Sequence, residues 1–217
     1  MNTTASSSET PTSARSAEAQ ITLGMLNAVE ENAVLTQRTL ARELGIALGL
    51  ANAYLKRCVT KGYIKVTHAP AKRYAYYLTP QGFAEKSRLT AQYLTISLDF
   101  FRLARGQCGA LFGECAAQGW TQIALCGAGE LAEIAILCAD SHAVQLIGVV
   151  AMDGGAGVGR LPLVTDLAAL AKPDAVVITD QRTPQQSYDR MVTRLPRERV
   201  LAPRLLNISR TPPRLAE

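Results

Sequence analysis

A glycine-rich turn is the first stretch of this sequence whose residue types and spacing suggest chemistry. It reads Cys126-Gly-Ala-Gly-Glu-Leu-Ala132, follows a predicted strand and opens a predicted helix. In that context Gly127 permits a tight turn, and Gly129 lets the backbone approach a pyrophosphate held at the helix N-terminus. We therefore predict a nucleotide site on Gly127, Ala128, Gly129, Glu130 and Leu131. The negative charge of the Glu130 carboxylate disfavours a pyrophosphate at this place. The alternative interpretation is that the glycines serve only the turn.

Asp153 and Arg160, which both follow the next predicted strand, are candidates for the same site. Asp153 lies 24 residues after Gly129, and a carboxylate at that place can hold ribose hydroxyls. Arg160 follows four glycines in a loop that either closes over an anionic group or is a plain connector. The ligands that this site would take are NAD(H), NADP(H) or a nucleotide-sugar.

The elements around this turn alternate between strands and helices, which predicts an α/β Rossmann-like domain with a parallel sheet over residues 121–206. The strands are predicted at about 122–126, 144–150, 175–179 and 200–202, with a further short one within 160–164. The helices are predicted at about 130–139, 165–171 and 185–195.

This half of the chain is similar to nucleotide-binding domains found with sugar-nucleotide enzymes and to the broader CoA-binding-like group. The similarity lies in the Gly-Ala-Gly-Glu turn, the Ile-Gly-Val-Val strand and the Leu-Pro-Leu-Val segment with the run that follows it to residue 178. It implies the fold more specifically than it implies a ligand.

Basic and amide side chains in the N-terminal half form a second group with chemical potential. On a helical wheel, the stretch from Ala47 to Lys61 separates an apolar face from a face suited to base edges and phosphates. An earlier predicted helix and a predicted hairpin tip add further cations. The predicted DNA contacts are Arg38, Arg42, Gly49, Asn52, Lys56, Arg57, Lys72 and Arg73. The alternative is a polar face that is merely solvated.

The elements that would position these side chains are two helices separated by Gly45, then two strands. Strands at 63–67 and 74–78 flank the basic tip, and Thr79-Pro80 opens the next helix as a cap and first residue. This order predicts an α+β winged helix-turn-helix domain over residues 17–80 that binds double-stranded DNA.

Three segments carry a resemblance to MarR-type winged-helix regulators, and in particular to the exopolysaccharide-associated branch. They read Leu44-Gly-Ile-Ala-Leu-Gly-Leu-Ala-Asn-Ala-Tyr-Leu-Lys56, Lys61-Gly-Tyr-Ile-Lys65 and Tyr76-Tyr-Leu-Thr-Pro-Gln-Gly82. The resemblance implies a transcriptional regulator. It departs at Ala47, where a serine would ordinarily cap the helix. The joint layout of both halves is also similar to the Rex redox regulators, which implies NAD(H) as ligand by analogy.

Residues 81–120 are predicted to form a helix to about residue 105 and a short helix from 107 to 118. Apolar residues in the first of these are spaced four and three apart, which is typical of a dimerising seam. They are Leu89, Tyr93, Ile96, Phe100 and Leu103. We predict a homodimer through this seam, and the alternative is packing within one chain.

Composition narrows the function classes. The chain has 217 residues, 48% of them hydrophobic, a net charge of +5 and a pI of about 9.1. We predict a disordered N-terminal tail over residues 1–16 and a C-terminal tail over residues 207–217. No apolar run is long enough for a membrane span and no export signal is present, so we expect a cytoplasmic protein without a membrane partner. Five cysteines without a Cys-x-x-Cys pair argue against zinc and for reduced thiols.

An enzyme is the less favoured alternative. An oxidoreductase would use the same fingerprint, yet Val192 stands four positions after Tyr188, where a short-chain dehydrogenase has lysine. A DNA-binding protein whose second domain only mediates assembly is the other alternative. Cys126 is a candidate redox sensor, although packing is the commoner role of such a residue.

Overall fold

The computed structural model describes residues 11–32, 35–69, 73–151 and 158–210. The chain divides into two units, Met1–Ser97 and Leu98–Glu217, and the division falls inside one long helix. Each unit has its own core and is described separately.

The first unit contains three helices and a two-stranded antiparallel hairpin. They are α1 (Pro11–Glu31), α2 (Gln37–Glu43), α3 (Leu48–Thr60), β1 (Ile64–Ala69) and β2 (Arg73–Leu78), followed by α4 (Pro80–Ala117). In the hairpin Ile64 pairs with Leu78 and Ala69 with Arg73. The core of this unit includes Met25, Leu26, Leu40, Leu55, Ile64 and Leu89.

Local signals set the boundaries of these elements. The backbone N–H of Thr39 donates to the Thr36 hydroxyl at 3.1 Å, which caps α2. Gly45 follows that helix with φ of +61°, a conformation that glycine adopts without a Cβ penalty. Ala47 precedes α3 with no side-chain cap.

Two predictions about the helices are wrong. Helix α1 begins at Pro11, so residues 11–16 are helical and not part of a disordered tail. Helix α4 runs without a break to Ala117, although Gly106 lies inside it. A glycine costs a helix only about 1 kcal/mol, and the buried side chains of Cys108, Phe112 and Cys115 in the core of the second unit stabilise the helix beyond it.

The second unit is a five-stranded parallel sheet in the order β5-β4-β3-β6-β7. Its elements are β3 (Gln122–Cys126), α5 (Glu130–Ala139), β4 (Gln145–Val150), β5 (Leu163–Val164), β6 (Ala175–Ile178), α6 (Pro184–Met191) and β7 (Val200–Leu201). The helix predicted at 165–171 is only a single 3₁₀ turn, Leu167–Ala169, capped by the Asp166 carboxylate.

Both faces of this sheet are covered, as the alternation of β3 shows. Ile123 and Leu125 pack in one core with α5 and the C-terminal part of α4. Ala124 and Cys126 pack in another core with Tyr188 and Met191 of α6. The unit is therefore an α/β domain with a Rossmann-like fold, joined to an N-terminal winged helix-turn-helix.

The strand order places a reversal at the centre of the sheet. From β3 the chain builds outward through β4 and β5, and it then returns to build β6 and β7 on the other side. The loops after β3 and β6 therefore leave in opposite directions. In open α/β sheets, ligands bind in the crevice at the carboxyl ends of two such strands.

Candidate functional sites

The recognition helix α3 has one buried and one exposed face. Ala51, Leu55 and Cys58 are buried, whereas Gly49, Ala53, Lys56, Arg57 and Thr60 are exposed. On α2, Arg38 and Arg42 are also exposed. Ala47, placed by the wheel on the packing face, is exposed because it lies before the helix begins.

Two of the predicted DNA contacts are engaged within the chain. Arg57 forms an ion pair with Glu18 of α1. Asn52 is half-buried, and its Oδ1 atom is buried without a hydrogen-bond partner. Neither side chain is simply a free group on the exposed face, so Lys56 is the least constrained cation of α3.

The hairpin that follows α3 lies where a wing is predicted. Arg73 begins β2 and Lys72 lies outside the described residues. The base of the hairpin is fixed by Thr79, whose hydroxyl donates to the Gly62 carbonyl at 2.5 Å and accepts from the Gly82 backbone N–H at 3.0 Å. The Thr-Pro-Gln-Gly element is therefore structural.

The predicted seam on α4 is only partly available to a partner. Leu89 is buried in the core of its own unit, and Phe100 packs against the core of the second unit. Tyr93, Ile96 and Leu103 are exposed, as are the neighbouring Leu94 and Leu98. The inclusion of Leu89 is corrected, because this residue is part of the buried core of the first unit.

A cavity of about 600 Å³ opens at the carboxyl ends of β3 and β6, at the reversal of strand order. Gly127, Ala128, Gly129 and Glu130 line one side of it. The opposite side comes from the loop after β6 and from α6, with Asp180, Arg182, Thr183, Ser187 and Arg190. The glycine turn thus lies in a crevice large enough for a small-molecule ligand.

The two glycines of the turn have different structural roles. Gly127 has φ of +112°, and a Cβ built on it would overlap the backbone of Asp180. Gly129 has extended backbone, and its Cβ would meet nothing nearer than the Gln181 side-chain oxygen at 3.7 Å. The fold therefore requires glycine at 127, whereas at 129 it leaves room for a side chain.

Asp180 organises the loop on the far side of the cavity. Its carboxylate accepts from the N–H of Arg182 at 2.9 Å, from the Thr183 hydroxyl at 2.9 Å and from the Ser187 hydroxyl at 2.6 Å. Burial alone would raise the pKa of Asp180, but these hydrogen bonds outweigh it and hold the pKa below its ordinary value of 3.8. The carboxylate is thus ionised and already satisfied by the protein.

Arg190 is the cation best placed to meet a ligand in this cavity. It is half-buried in α6, and among the described residues no acceptor or carboxylate bonds its guanidinium. A guanidinium carries five donors that match carboxylate and phosphate oxygens. The lining thus holds two cations, Arg190 and the exposed Arg182, and two carboxylates, Glu130 and Asp180.

Not every predicted binding residue lines the cavity. Leu131 is fully buried in the core, Arg160 is exposed and outside the lining, and Asp153 lies outside the described residues. The loop after β6 was not among the predicted site residues, because it has no glycine motif. Its position could have indicated it, because the polar stretch Thr179-Asp-Gln-Arg-Thr183 directly follows a buried strand.

Cys126 lies beside the cavity but does not behave as a reactive thiol. Burial raises its pKa to about 11, and the hydrogen bond with Ser187 and the nearby Arg190 only partly oppose that effect. A thiol with such a pKa is protonated at neutral pH and is a poor nucleophile. Within the part of the chain that the structure describes, no cluster of ligands suits a metal ion, and no helix is long and apolar enough to cross a bilayer.

A family model described as winged helix-turn-helix DNA-binding matches residues 19–65. These residues contain α2, α3 and most of α1, and they are under a quarter of the chain. The first unit therefore carries a winged helix-turn-helix of the DNA-binding class. No curated protein matches the sequence.

Several solved structures share parts of the fold. The PcaV transcriptional regulator from Streptomyces coelicolor, solved with its natural ligand, is 22% identical over 37% of this chain and 59% of its own, with a TM-score of 0.35. MepR, a transcription regulator of a Staphylococcus aureus multidrug efflux pump, is 23% identical over 38% of this chain and 61% of its own, with a TM-score of 0.33. This chain thus spans about three fifths of the regulators that it matches.

A third solved structure is similar over more of the chain. Human N-acetylserotonin methyltransferase, in complex with SAM, is 13% identical over 80% of this chain and 72% of its own, with a TM-score of 0.28. At TM-scores this low, none of the three likenesses assigns a function to this protein.

Proposed function

We propose that this protein is a MarR-type transcriptional regulator that binds double-stranded DNA as a homodimer and binds a nucleotide-type ligand in its Rossmann-like unit. One observation carries the proposal: a winged helix-turn-helix of the DNA-binding class has exposed cations on both α2 and α3. The regulator is non-enzymatic in this proposal.

On DNA, helix α3 lies in the major groove and α2 crosses the backbone, as in other helix-turn-helix domains. Arg38 and Arg42 then contact phosphates, and Lys56 contacts a phosphate or a guanine. Arg57 contacts a phosphate once it leaves Glu18. The exposed side of Gly49 allows close approach, and Lys72 and Arg73 contribute from the wing.

The test of DNA binding is the salt dependence of affinity. Duplexes selected from a random pool by the full-length protein serve as the probe. Arg38→Ala and Arg42→Ala should each lower the slope of log affinity against log salt by about one unit, because each removes one phosphate contact. Arg102→Ala is the matched control, since Arg102 is an exposed cation of α4 that pairs with Asp99. Slopes unchanged in both α2 variants would refute the assignment.

The ligand proposal rests on three features that coincide in one place. The Gly127–Glu130 turn joins a strand to a helix, the reversal of strand order lies there, and the cavity opens at that point. The first N–H groups of a helix commonly lack an intrahelical acceptor, which suits a phosphate; in α5 the N–H of Ala132 already donates to the Gly129 carbonyl at 2.9 Å, so the earlier N–H groups would meet the ligand. Arg190 supplies a second anion contact on the opposite wall.

A thermal-shift series with NAD(H), NADP(H), nucleotide-sugars and acyl-CoA tests this proposal. A compound at one hundred times its dissociation constant stabilises the folded state by about 2.7 kcal/mol. Binding should weaken in Arg190→Gln, which removes the guanidinium and its charge but keeps a polar side chain. A compound that binds equally well to this variant occupies another site.

A regulator of this kind requires coupling between ligand and DNA. By linkage, DNA changes ligand affinity by the same factor as the ligand changes DNA affinity. An assembly role for the Rossmann-like unit is the second candidate, favoured by the exposure of Leu137 on α5. Calorimetry with and without DNA separates the two, because an assembly unit shows no coupling.

A further inference from the structure

The N-terminal half of α3 has an unusual surface for a helix that enters a DNA groove. Leu48 and Leu50 are 44% and 42% exposed, and Ala53 is also exposed. From Leu48 to Ala53 the sequence has no charged residue, and the first cation of the helix is Lys56. The exposed side chains at the N-terminal end of this helix are therefore apolar.

These two leucines are not required for the core. The apolar core of this unit takes Leu55 and Cys58 from α3, whereas Leu48 and Leu50 lie outside that cluster. Leu48 and Leu50 lie about 160° apart around the helix, so they flank its exposed face on opposite borders. Nothing lies within 4 Å of a Cβ built on Gly49 between them, so the face that they flank is open. An exposed leucine on an open surface is available to a partner.

The charges on α2 and α3 indicate the partner. Arg38 and Arg42 on α2 and Lys56 on α3 are exposed, and none of them has an ion pair among the described residues. Exposed leucines together with exposed cations of the same two helices complement a polyanion that carries apolar groups inside a groove. The edges of the bases in the major groove offer one such group, the C5-methyl of thymine.

The polar side chain expected to contact bases from this helix, Asn52, is poorly placed to do so. Asn52 would pair with adenine through both ends of its amide, but its Oδ1 atom is buried. In helix-turn-helix domains the N-terminal residues of the recognition helix contact the bases. Here those residues are Leu48, Gly49 and Leu50.

We propose that Leu48 and Leu50 read thymine methyl groups in the major groove, so that the preferred DNA sites are defined by the positions of thymines. This inference rests on the proposed DNA-binding function and adds the chemistry of its base recognition.

Replacement of thymine by deoxyuridine tests this directly, since it removes the methyl group and leaves every hydrogen-bonding group in place. The probe is the tightest duplex selected from a random pool by the full-length protein, with each thymine replaced in turn. Loss of one buried methyl should weaken binding about fourfold. Thymines outside the contacted half-sites should show no effect and serve as internal controls.

Variants of Leu48 and Leu50 test whether these two side chains cause the preference for thymine over deoxyuridine. Leu48→Ala and Leu50→Ala should each remove the discrimination between thymine and deoxyuridine at one position, as a double-mutant cycle measures. Both side chains are exposed, so the variants should retain the circular dichroism and melting temperature of the parent. Leu137→Ala, an exposed leucine in the second unit, should keep the full discrimination.

The failures are distinguishable. If the parent protein selects no duplex, both the proposed function and this inference are wrong. If it selects duplexes but binds thymine and deoxyuridine versions equally, only the inference is overturned. The same conclusion follows if the leucine variants keep the discrimination, or if they alter self-association instead.

Discussion

Gly127 lies so close to Asp180 that a side chain on the glycine would overlap the backbone nitrogen of the aspartate. The Thr179 hydroxyl next to it donates to the Gly127 carbonyl at 2.7 Å. The glycine turn after β3 and the loop after β6 are therefore packed against each other. This contact makes Gly127 a requirement of the fold, whereas Gly129 makes no comparable contact.

Alanine substitutions at the two glycines should affect different properties of the protein. Gly127→Ala should lower the free energy of unfolding by about 2–4 kcal/mol, because it combines an unfavourable φ with overlap. Gly129→Ala should leave stability nearly unchanged and weaken ligand binding. Urea unfolding and thermal shift with the ligand found by screening measure the two effects. Equal losses of stability would show that both glycines serve only the turn.

The Asp180 carboxylate should contribute to stability in a pH-dependent way. Its pKa is lower in the folded protein than in the unfolded chain, so its contribution is complete above the unfolded pKa of about 3.9. The contribution is lost as pH falls through the folded pKa. Asp180→Asn should cost about 1 kcal/mol at pH 7, since solvent reaches part of the loop.

Urea unfolding of parent and Asp180→Asn at several pH values checks this. The difference should be constant from pH 5 to 7 and should shrink below about pH 4. Asp189→Asn, on the exposed side of α6, is a control for the loss of one charge. A difference between parent and Asp180→Asn that grows with acidity would contradict the prediction.

The protein should be more stable when Tyr188 lacks its hydroxyl. The ring is 1% exposed, and its oxygen is buried without a hydrogen-bond partner. Burial of an unpaired hydroxyl is unfavourable, so Tyr188→Phe should raise the free energy of unfolding by about 1 kcal/mol. Tyr77→Phe, with an exposed ring, should change it by less than about 0.5 kcal/mol. A destabilised Tyr188→Phe would mean that a bound water or ligand satisfies the hydroxyl.

The exposed apolar residues of α4 should hold a homodimer together. Ile96→Glu and Leu103→Glu place a charge in that interface, so both should sediment as monomers with weak affinity for DNA. Ala91→Glu adds the same charge about 140° around the helix from Ile96 and should stay dimeric. Sedimentation velocity measures the result. A monomeric parent at concentrations that bind DNA would end this proposal.

The cysteines should be unreactive in the folded protein. All five are buried, and burial raises the pKa of Cys58, Cys115 and Cys126 to about 11 and that of Cys108 to about 12. At pH 7.5 an aromatic disulfide reagent should therefore label the native protein slowly and all five thiols after denaturation. Rapid labelling that disappears in Cys126→Ser would instead revive a redox role for Cys126.

Hydrophobic period and glycine context were enough to predict the order of elements. β3 has the predicted bounds, and the fold class of both units is confirmed. These features depend on local sequence: alternation for strands, a 3.6-residue period for helices, and glycine or Thr-Pro at the ends. The continuity of α4 was missed because the cost of Gly106 is local, whereas the packing that offsets it is not.

The sites were predicted less completely for the same reason. The wheel placed Asn52 and Arg57 on the exposed face but could not show that α1 supplies Glu18 to Arg57. Heptad spacing placed the apolar Leu89 on the predicted dimer seam. Spacing alone could not show that Leu89 packs in the core of its own unit. The Asp180 loop joins the glycine turn only because β6 pairs with β3, a contact between strands about 50 residues apart.

The hydroxyl of Thr79 holds both ends of the hairpin at one point. β1 begins next to Gly62, whose carbonyl accepts from this hydroxyl, and β2 ends next to Thr79 itself. A Cβ on Gly82 would overlap the Tyr63 carbonyl, so the first turn of α4 is pressed against the same point. The base of the wing cannot swing as a hinge. The conformational entropy of placing the wing beside the recognition helix is therefore lost when the protein folds, and little of it remains to be lost on DNA.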